Sequence, residues 1–327
     1  MKVKIKKICY HLPGFPRTND EMKRDNPSWD MDKIVEKTGV ISRYVSSENE
    51  TALDLARKAG KKILEKSISI EKVKLLIFVT QSPDYILPTS ACILQDELGL
   101  PKDCMAFDIN LGCSGFVYAL SVAGSLISSG LAEDGLIICA DTYSKYILKN
   151  DRTNRPIFSD GAAAILVEKS EDDNLGPFSF GTDGSGFDSL IVKDGGSRNS
   201  HIAKAELVKP VLEMNGSEVF LFTMQVVPRC VKDVLFQSDL NIEDVDLFVF
   251  HQASKFVIDN LVRTLSLDPN KVFINYPEIG NTVSATIPIA LCEAEMQGKL
   301  KSGDRVMLIG FGVGLSWGAT LINWAGK

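Results

Sequence analysis

The stretch that most constrains the fold runs from residue 105 to residue 129. Met105 to Ile109 is a short apolar run of the kind that forms a buried strand, and the small-residue turn Asn110-Leu111-Gly112 follows it. From Ser114 to Ser129 the chain is then apolar almost all round. A surface helix keeps one polar face; a helix without one must lie in the core of a large domain. Cys113 stands at the mouth of this predicted helix. Unpaired N–H groups and the positive end of the helix dipole favour an anion there. The expectation is a thiolate of lowered pKa, nucleophilic near neutral pH. The competing reading is a packing cysteine, since free cysteine is among the most buried residue types.

The 327 residues suffice for two core-sized halves or one large α/β unit. A composition of 45% apolar and 24% charged residues is ordinary for a soluble globular protein. The net charge of −6 argues against a general binder of nucleic acid or anionic membrane. No apolar run approaches the ~20 residues that span a bilayer. The basic opening, Met1 to Lys7, leads into no apolar signal core, so a cytoplasmic protein is expected. Seven dispersed cysteines without a C-x-x-C pair argue against a disulfide scaffold or a zinc site, and no metal is expected.

Strand-like and helix-like segments alternate, which predicts an α/β fold. The first half reads as a strand at 3–9, a loop at 13–28, a helix at 51–65, a buried strand at 73–80 and a helix at 88–98. Strands at 136–140 and 162–167 follow the Cys113 unit. The polar segment 168–174 is the expected join, dividing the chain into 1–170 and 171–327. The second half reads as a polar insertion at 193–205, then a helix at 218–236 that Pro228 kinks or divides. A strand at 245–250, a helix at 254–265, a short strand at 272–275 and a helix at 284–297 come next. A strand at 305–309, a glycine turn at 310–314 and a closing strand at 315–324 end it. Each half repeats a buried strand, a glycine-containing turn and a reactive-type residue, which suggests an internal duplication.

Only three histidines are present. His11, in an early turn, and His201, in the polar insertion, read as solvated. His251 ends an apolar strand, where α/β folds place their sites, although a satisfied strand-end histidine is the alternative. Asn281 follows Gly280 and precedes a helix, so it is either functional or an ordinary turn and cap. The 310–314 glycines could bring a backbone N–H close to a substrate, and they match no phosphate-binding signature. Together a cysteine, a histidine, an asparagine and a backbone donor make a site for thioesters. The cysteine attacks one thioester while N–H groups hold the oxyanion. Histidine and asparagine bind the carbonyl of a second, stabilising the enolate left when a malonyl group loses carbon dioxide.

Several words of the sequence carry a resemblance. They are Asn110 to Phe116, Ser159-Asp160-Gly161-Ala162, Gly184-Ser185-Gly186, Gly195-Gly196-Ser197-Arg198, Met214-Asn215-Gly216, His251-Gln252-Ala253, Gly280-Asn281-Thr282 and Gly310 to Gly318. In that order and spacing, the chain resembles the 3-oxoacyl-[acyl-carrier-protein] synthase III family of the thiolase-like superfamily over essentially its whole length. The resemblance implies a thiolase-like, five-layered αβαβα fold of two similar halves, each with a mixed, mostly buried sheet. It also implies a homodimer, an acyl carrier protein as partner, and acyl-coenzyme A or acyl-carrier-protein thioesters as substrates, with no permanently bound cofactor. Cys113 would carry the acyl group, and His251 with Asn281 would serve the decarboxylative condensation. The backbone N–H groups of Cys113 and Val313 would form the oxyanion hole, with Phe311 beside His251 and Asn281.

The departures concern donor binding. The family's Trp-Ile-Val-x-Arg-Thr-Gly, which clamps adenine, reads Lys33 to Gly39 here; Lys33 and Lys37 either hold a nucleotide phosphate or face solvent. Arg152, the second side of the clamp, matches. The family's Asn after His-Gln-Ala is Ser254, its carrier-docking Arg is Phe256, and a Lys beside Phe220 is Leu221. Arg263 keeps a docking position, with Lys255 a substitute. Leu87 matches the residue by which a neighbouring subunit closes the primer pocket. These changes point to a specialised paralogue with its own donor or carrier. The competing readings are an acyltransferase that passes the acyl group to oxygen or nitrogen, and a catalytically silent heterodimer partner. A thiolase is disfavoured because Gly310 to Leu315 holds no second cysteine.

Overall fold

The structure is a computed structural model that describes residues 1–65, 69–199 and 209–326. His201 and the stretch 200–205 of the polar insertion lie outside these residues.

In the first half the chain runs through β1 (Val3–His11), β2 (Pro16–Thr18), α1 (Asn19–Asp25), α2 (Met31–Thr38), β3 (Ser42–Tyr44), α3 (Ala52–Leu64) and β4 (Val73–Val79). It continues through α4 (Ser90–Glu97), β5 (Met105–Ile109), α5 (Gly115–Ser128), β6 (Asp134–Asp141) and β7 (Gly161–Lys169). The second half holds β8 (Leu175–Thr182), β9 (Leu190–Val192), β10 (Leu212–Met214), α6 (Gly216–Ser238), β11 (Leu247–Phe250) and α7 (Lys255–Leu265). Then come α8 (Tyr276–Ile279), α9 (Thr286–Met296), β12 (Arg305–Gly312) and β13 (Ser316–Asn323).

Two mixed sheets organise the molecule, in the orders β1-β7-β6-β4-β5 and β11-β12-β13-β8. β4 is parallel to β5 and β6, and is buried from Leu75 to Val79, as a strand covered on both faces must be. α3 and α4 pack on the outer face of the first sheet, α6 and α7 pack on the second, and α5 and α9 touch both sheets from between them. That gives five layers. The central place of α5 follows from its sequence: Phe116, Val117, Leu120, Ala123 and Ile127 are all buried. Each large apolar side chain hidden there contributes ~1.5–3 kcal/mol.

The two sheets share one pairing scheme. Counting only the strands within each sheet, the first pairs the last, the last pairs the penultimate, and the penultimate pairs the second, β4 or β11. In the first half the second strand also pairs the third, β5. In the second half, where a strand at 272–275 is expected, one isolated bridge remains between Phe248 and Val272. The ladder stops because the Gln252 side chain takes over its partners, accepting from Asn275 N at 3.0 Å and donating to Phe273 O at 3.3 Å. Pro277 then has no N–H to continue it.

Four further expectations change. The loop expected at 13–28 contains α1, started by a capping box in which Thr18 and Glu21 satisfy each other's backbone N–H groups. His11 is the last residue of β1, not part of a turn. Pro228 does not divide α6, which runs unbroken from Gly216 to Ser238. Gly310 and Gly312 belong to β12, so the glycine turn shrinks to the residues before Ser316. Among the described residues no helix is long and apolar enough to cross a membrane.

Candidate active site

Cys113 sits between β5 and α5, one residue before the helix cap Ser114, and is buried with Tyr143, Phe158, Leu190, Leu212 and Val283. Val313 packs against the same cluster. β12 presses directly on the cysteine: a Cβ at Gly312 would stand 2.9 Å from Cys113 Sγ. Glycine is required there by space alone. The next residue back, Phe311, meets the His251 ring edge-on at 5.5 Å between centroids. One strand end therefore carries contacts to both the cysteine and the histidine.

His251 closes β11 and is buried; burial pulls its pKa down to about 3, so the imidazole is neutral. Its Nδ1 lies 2.7 Å from Thr286 Oγ1, and the Thr286 hydroxyl donates to Val283 O at 3.0 Å. A hydroxyl has one proton, so Thr286 accepts from Nδ1–H and the lone pair resides on Nε2. Asn281 Nδ2 stands 3.4 Å from that nitrogen, and Asn281 Oδ1 accepts from Val283 N at 2.9 Å. The amide is thereby oriented with its NH₂ toward the histidine. Backbone bonds from Asn281 N to Ile157 O and from Ser159 N to Asn281 O fix its segment against the first half.

The expected lowering of the Cys113 pKa is not found: burial, and then the Asp141 carboxylate, push the thiol up to about 12. A helix terminus is worth ~0.3–1 kcal/mol, under one pKa unit. Burial moves groups by up to ~3–5 units, so burial prevails. The resting residue is a thiol. The N–H groups of Cys113 and Val313 both point at Sγ and favour its anion, which softens the opposition without reversing it.

Asp141, at the end of β6, is a residue that sequence reasoning missed. It accepts from Gln81 N at 2.8 Å and Ser82 Oγ at 3.2 Å in the first half, and from Ser284 Oγ at 2.5 Å in the second. Burial raises its pKa to about 6 despite these bonds. Thr286 was missed as well, and so was the pair in which Tyr143 OH donates to Gln81 Oε1 at 2.7 Å beside the cysteine.

The donor-side residues are not gathered into this floor. Lys33 is exposed and paired with Asp30 at 3.3 Å, and Lys37 and Arg152 are exposed. Ser254, expected to touch substrate, is the cap of α7 and accepts from Val257 N at 3.5 Å. Lys255 pairs with Asp259, and Arg263 donates to Asn260 Oδ1. Phe220 packs against Phe256, ring centroids 4.8 Å apart, and Leu221 beside it is exposed. Leu87 stands 80% exposed, away from this chain's own cysteine cluster.

A thiol under two N–H donors, across from a neutral histidine–asparagine pair, suits acyl transfer through a cysteine thioester. With the doubled sheet it defines the class, a thiolase-like acyl-transferring enzyme. Comparison narrows this further. The sequence profile of 3-oxoacyl-[acyl-carrier-protein (ACP)] synthase III matches residues 107–184, and that of its C-terminal region matches 235–324. The chain is 40% identical over 314 residues to the beta-ketoacyl-[acyl-carrier-protein] synthase III of Clostridium perfringens, covering 95% of this chain and 93% of that one. It is 39% identical over 319 residues to the enzyme of the same name from Clostridioides difficile, covering 96% and 93%. A crystal structure of a 3-oxoacyl-(acyl-carrier-protein) synthase III superposes with a TM-score of 0.95 at 40% identity, covering 99% of this chain and all of the other. The chain belongs to the 3-oxoacyl-[acyl-carrier-protein] synthase III family.

Proposed function

We propose that the chain takes an acyl group from a coenzyme A or carrier-protein thioester onto Cys113. It then condenses that group with a malonyl thioester, losing carbon dioxide and giving a 3-oxoacyl thioester. The observation that carries this reading is the neutral His251–Asn281 pair on the same buried floor as Cys113. An amide NH₂ beside a neutral imidazole can hold an enolate oxygen, a species that forms in condensation and not in transfer to oxygen or nitrogen. The relatives from Clostridium perfringens and Clostridioides difficile, both beta-ketoacyl-[acyl-carrier-protein] synthases III by name, agree with this reading.

In the acyl-transfer step the Cys113 thiol gives up its proton as sulfur attacks, and His251 Nε2, the lone-pair nitrogen, receives it and passes it to the departing thiolate. The N–H groups of Cys113 and Val313 hold the oxyanion of the tetrahedral intermediate, which collapses to the Cys113 thioester as the donor thiolate leaves. In the second step Asn281 Nδ2–H donates to the malonyl thioester carbonyl. His251 joins it from Nε2 in the tautomer in which Thr286 turns its hydroxyl toward Nδ1. Thr286 is thus a positioning residue.

The working unit is a homodimer: Tyr85, Ile86 and Leu87 form an exposed apolar tip that a second copy would cover, Leu87 reaching the neighbour's pocket. Four buried cysteines that form no disulfide among the described residues, Cys113, Cys139, Cys230 and Cys292, suit the reducing cytoplasm. The donor docks at the Phe220–Phe256 rim, with a carrier protein as one source. Arg152 is kept as a donor contact, and Lys255 and Arg263 as carrier contacts.

The test is intact-protein mass after brief exposure to a panel of acyl-coenzyme A and acyl-carrier-protein thioesters, beside Cys113→Ser. One acyl adduct on the wild type alone is expected, followed by a product two carbons longer on adding a malonyl thioester. An adduct that passes to oxygen or nitrogen without chain extension supports the acyltransferase reading instead. No adduct from any thioester supports the silent-partner reading.

A further inference from the structure

A cavity of about 460 Å³ lies beside the buried cluster around Cys113 and takes no part in the steps above. Phe158 belongs to the wall of both. Five cationic side chains line the cavity, Arg17, Arg24, Arg43, Lys149 and Arg155, against two acidic ones, Glu21 and Asp25. Both acids are engaged: Glu21 with Arg17 at 3.3 Å, and Asp25 with Arg155. An excess of positive charge is thus concentrated in one hollow of a chain whose net charge is −6.

Arg43 gives the hollow its direction. It is 2% exposed, and among the described residues its guanidinium is in no ion pair; it donates to Asn19 Oδ1 at 2.9 Å and Arg17 O at 3.5 Å. Both acceptors are neutral, and a guanidinium has five N–H groups to place. Burial of this cation is unfavourable: Arg155 nearby adds repulsion, and Glu21, already paired with Arg17, offsets only part of the cost. An anion in the cavity would relieve both. The stem of Arg43 also supports the catalytic segment: a Cβ at Gly280, the residue before Asn281, would meet Arg43 Cγ at 3.1 Å.

We propose that this cavity binds a phosphate-bearing small molecule, its phosphate held between Arg43 and Arg155. Planar guanidinium forks match phosphate oxygens in pairs, and a multiply charged anion suits a cationic excess better than a single carboxylate. The phosphate has two possible sources, a free phosphate or phosphate ester, or a coenzyme A donor's own 3′-phosphate.

The test is calorimetric titration of the whole protein with inorganic phosphate in chloride buffer. Because Arg43 also supports the fold, the deciding variant is at the partly exposed Arg155, which pairs with Asp25 and donates to Lys149 O: Arg155→Gln, with a melting curve as the check on folding. Saturable binding to the wild type, weakened about ten- to a hundredfold in Arg155→Gln, is expected for the loss of a charged hydrogen bond. Displacement by coenzyme A but not by dephospho-coenzyme A names the donor as the source; displacement by neither names a free ligand. Absence of saturable binding, or equal binding by folded Arg155→Gln, overturns the proposal.

Discussion

The floor of the site and its rim are built on different principles. On the floor, Cys113, His251 and Asn281 are buried, and each polar group that aims them is itself held by a second bond: Thr286 by Val283, Asn281 by Val283, Asp141 by residues of both halves. At the rim, Lys33, Lys255 and Arg263 have exposed partners one helical turn away, and Leu221 and Phe256 have surface. Low dielectric and fixed partners make the floor intolerant of change. Exposed pairs of the rim's kind contribute little, so the rim is free to vary with the donor. The contrast explains how a chain that keeps the family's chemistry can differ where the donor is proposed to enter.

The largest effect that breaks the floor is removal of the nucleophile: Cys113→Ala leaves no acyl adduct by mass spectrometry with any thioester. Asn281→Ala comes next. It should keep the adduct yet slow condensation by ~10²–10³, the usual loss for one donor to a developing oxyanion, measured as carbon dioxide release against acylation. Thr286→Val should slow condensation on the order of tenfold by leaving Nδ1 unpaired, and Thr286→Ser should restore it, which a packing role alone would not predict.

His251 also marks the floor in pH. Its pKa is near 6.5 when unfolded and about 3 when folded, so between those values the unfolded chain binds the extra proton. Its contribution to stability is therefore full above 6.5 and is lost as pH falls toward 3. Urea midpoints at pH 7 and pH 5 should converge in His251→Asn relative to wild type. The rim should respond least. Phe256→Arg with Leu221→Lys is expected to shift KM for a carrier-bound malonyl donor a few-fold, with kcat unchanged; a fall in kcat would erase the distinction between the two regions.

Much of the floor was legible in sequence because it depends on local pattern. The all-round apolar run at 114–129 could only be a central helix, and β5 before it had to deliver Cys113 to the helix mouth. What was not legible depends on partners far along the chain. Whether Cys113 ionises is decided by burial and by Asp141, and the orientation of His251 by Thr286. The place of Ser254 after His-Gln-Ala points to a substrate contact, and the structure adds a second use that the sequence does not show: its hydroxyl caps the first turn of α7. α1 was overlooked although its capping box, Thr18 to Glu21, was present; the prolines and polar residues around it outweighed a one-turn signal.

The Asp141 carboxylate has a consequence for how such genes can be recombined. Its two oxygens join Gln81 and Ser82, from the first half, to Ser284, from the segment that bears Asn281 and Thr286. A chimera spliced within residues 170–174, between β7 and β8, would exchange whole sheets cleanly. It would still be sound only if both parents agreed on this seam, since an aspartate facing a non-serine would keep its buried charge and lose its shortest donor, the Ser284 hydroxyl. The nucleophile and the residues that follow it in the reaction are inherited from opposite sides of that splice. The halves can be shuffled as folds, but they have to be matched as a pair.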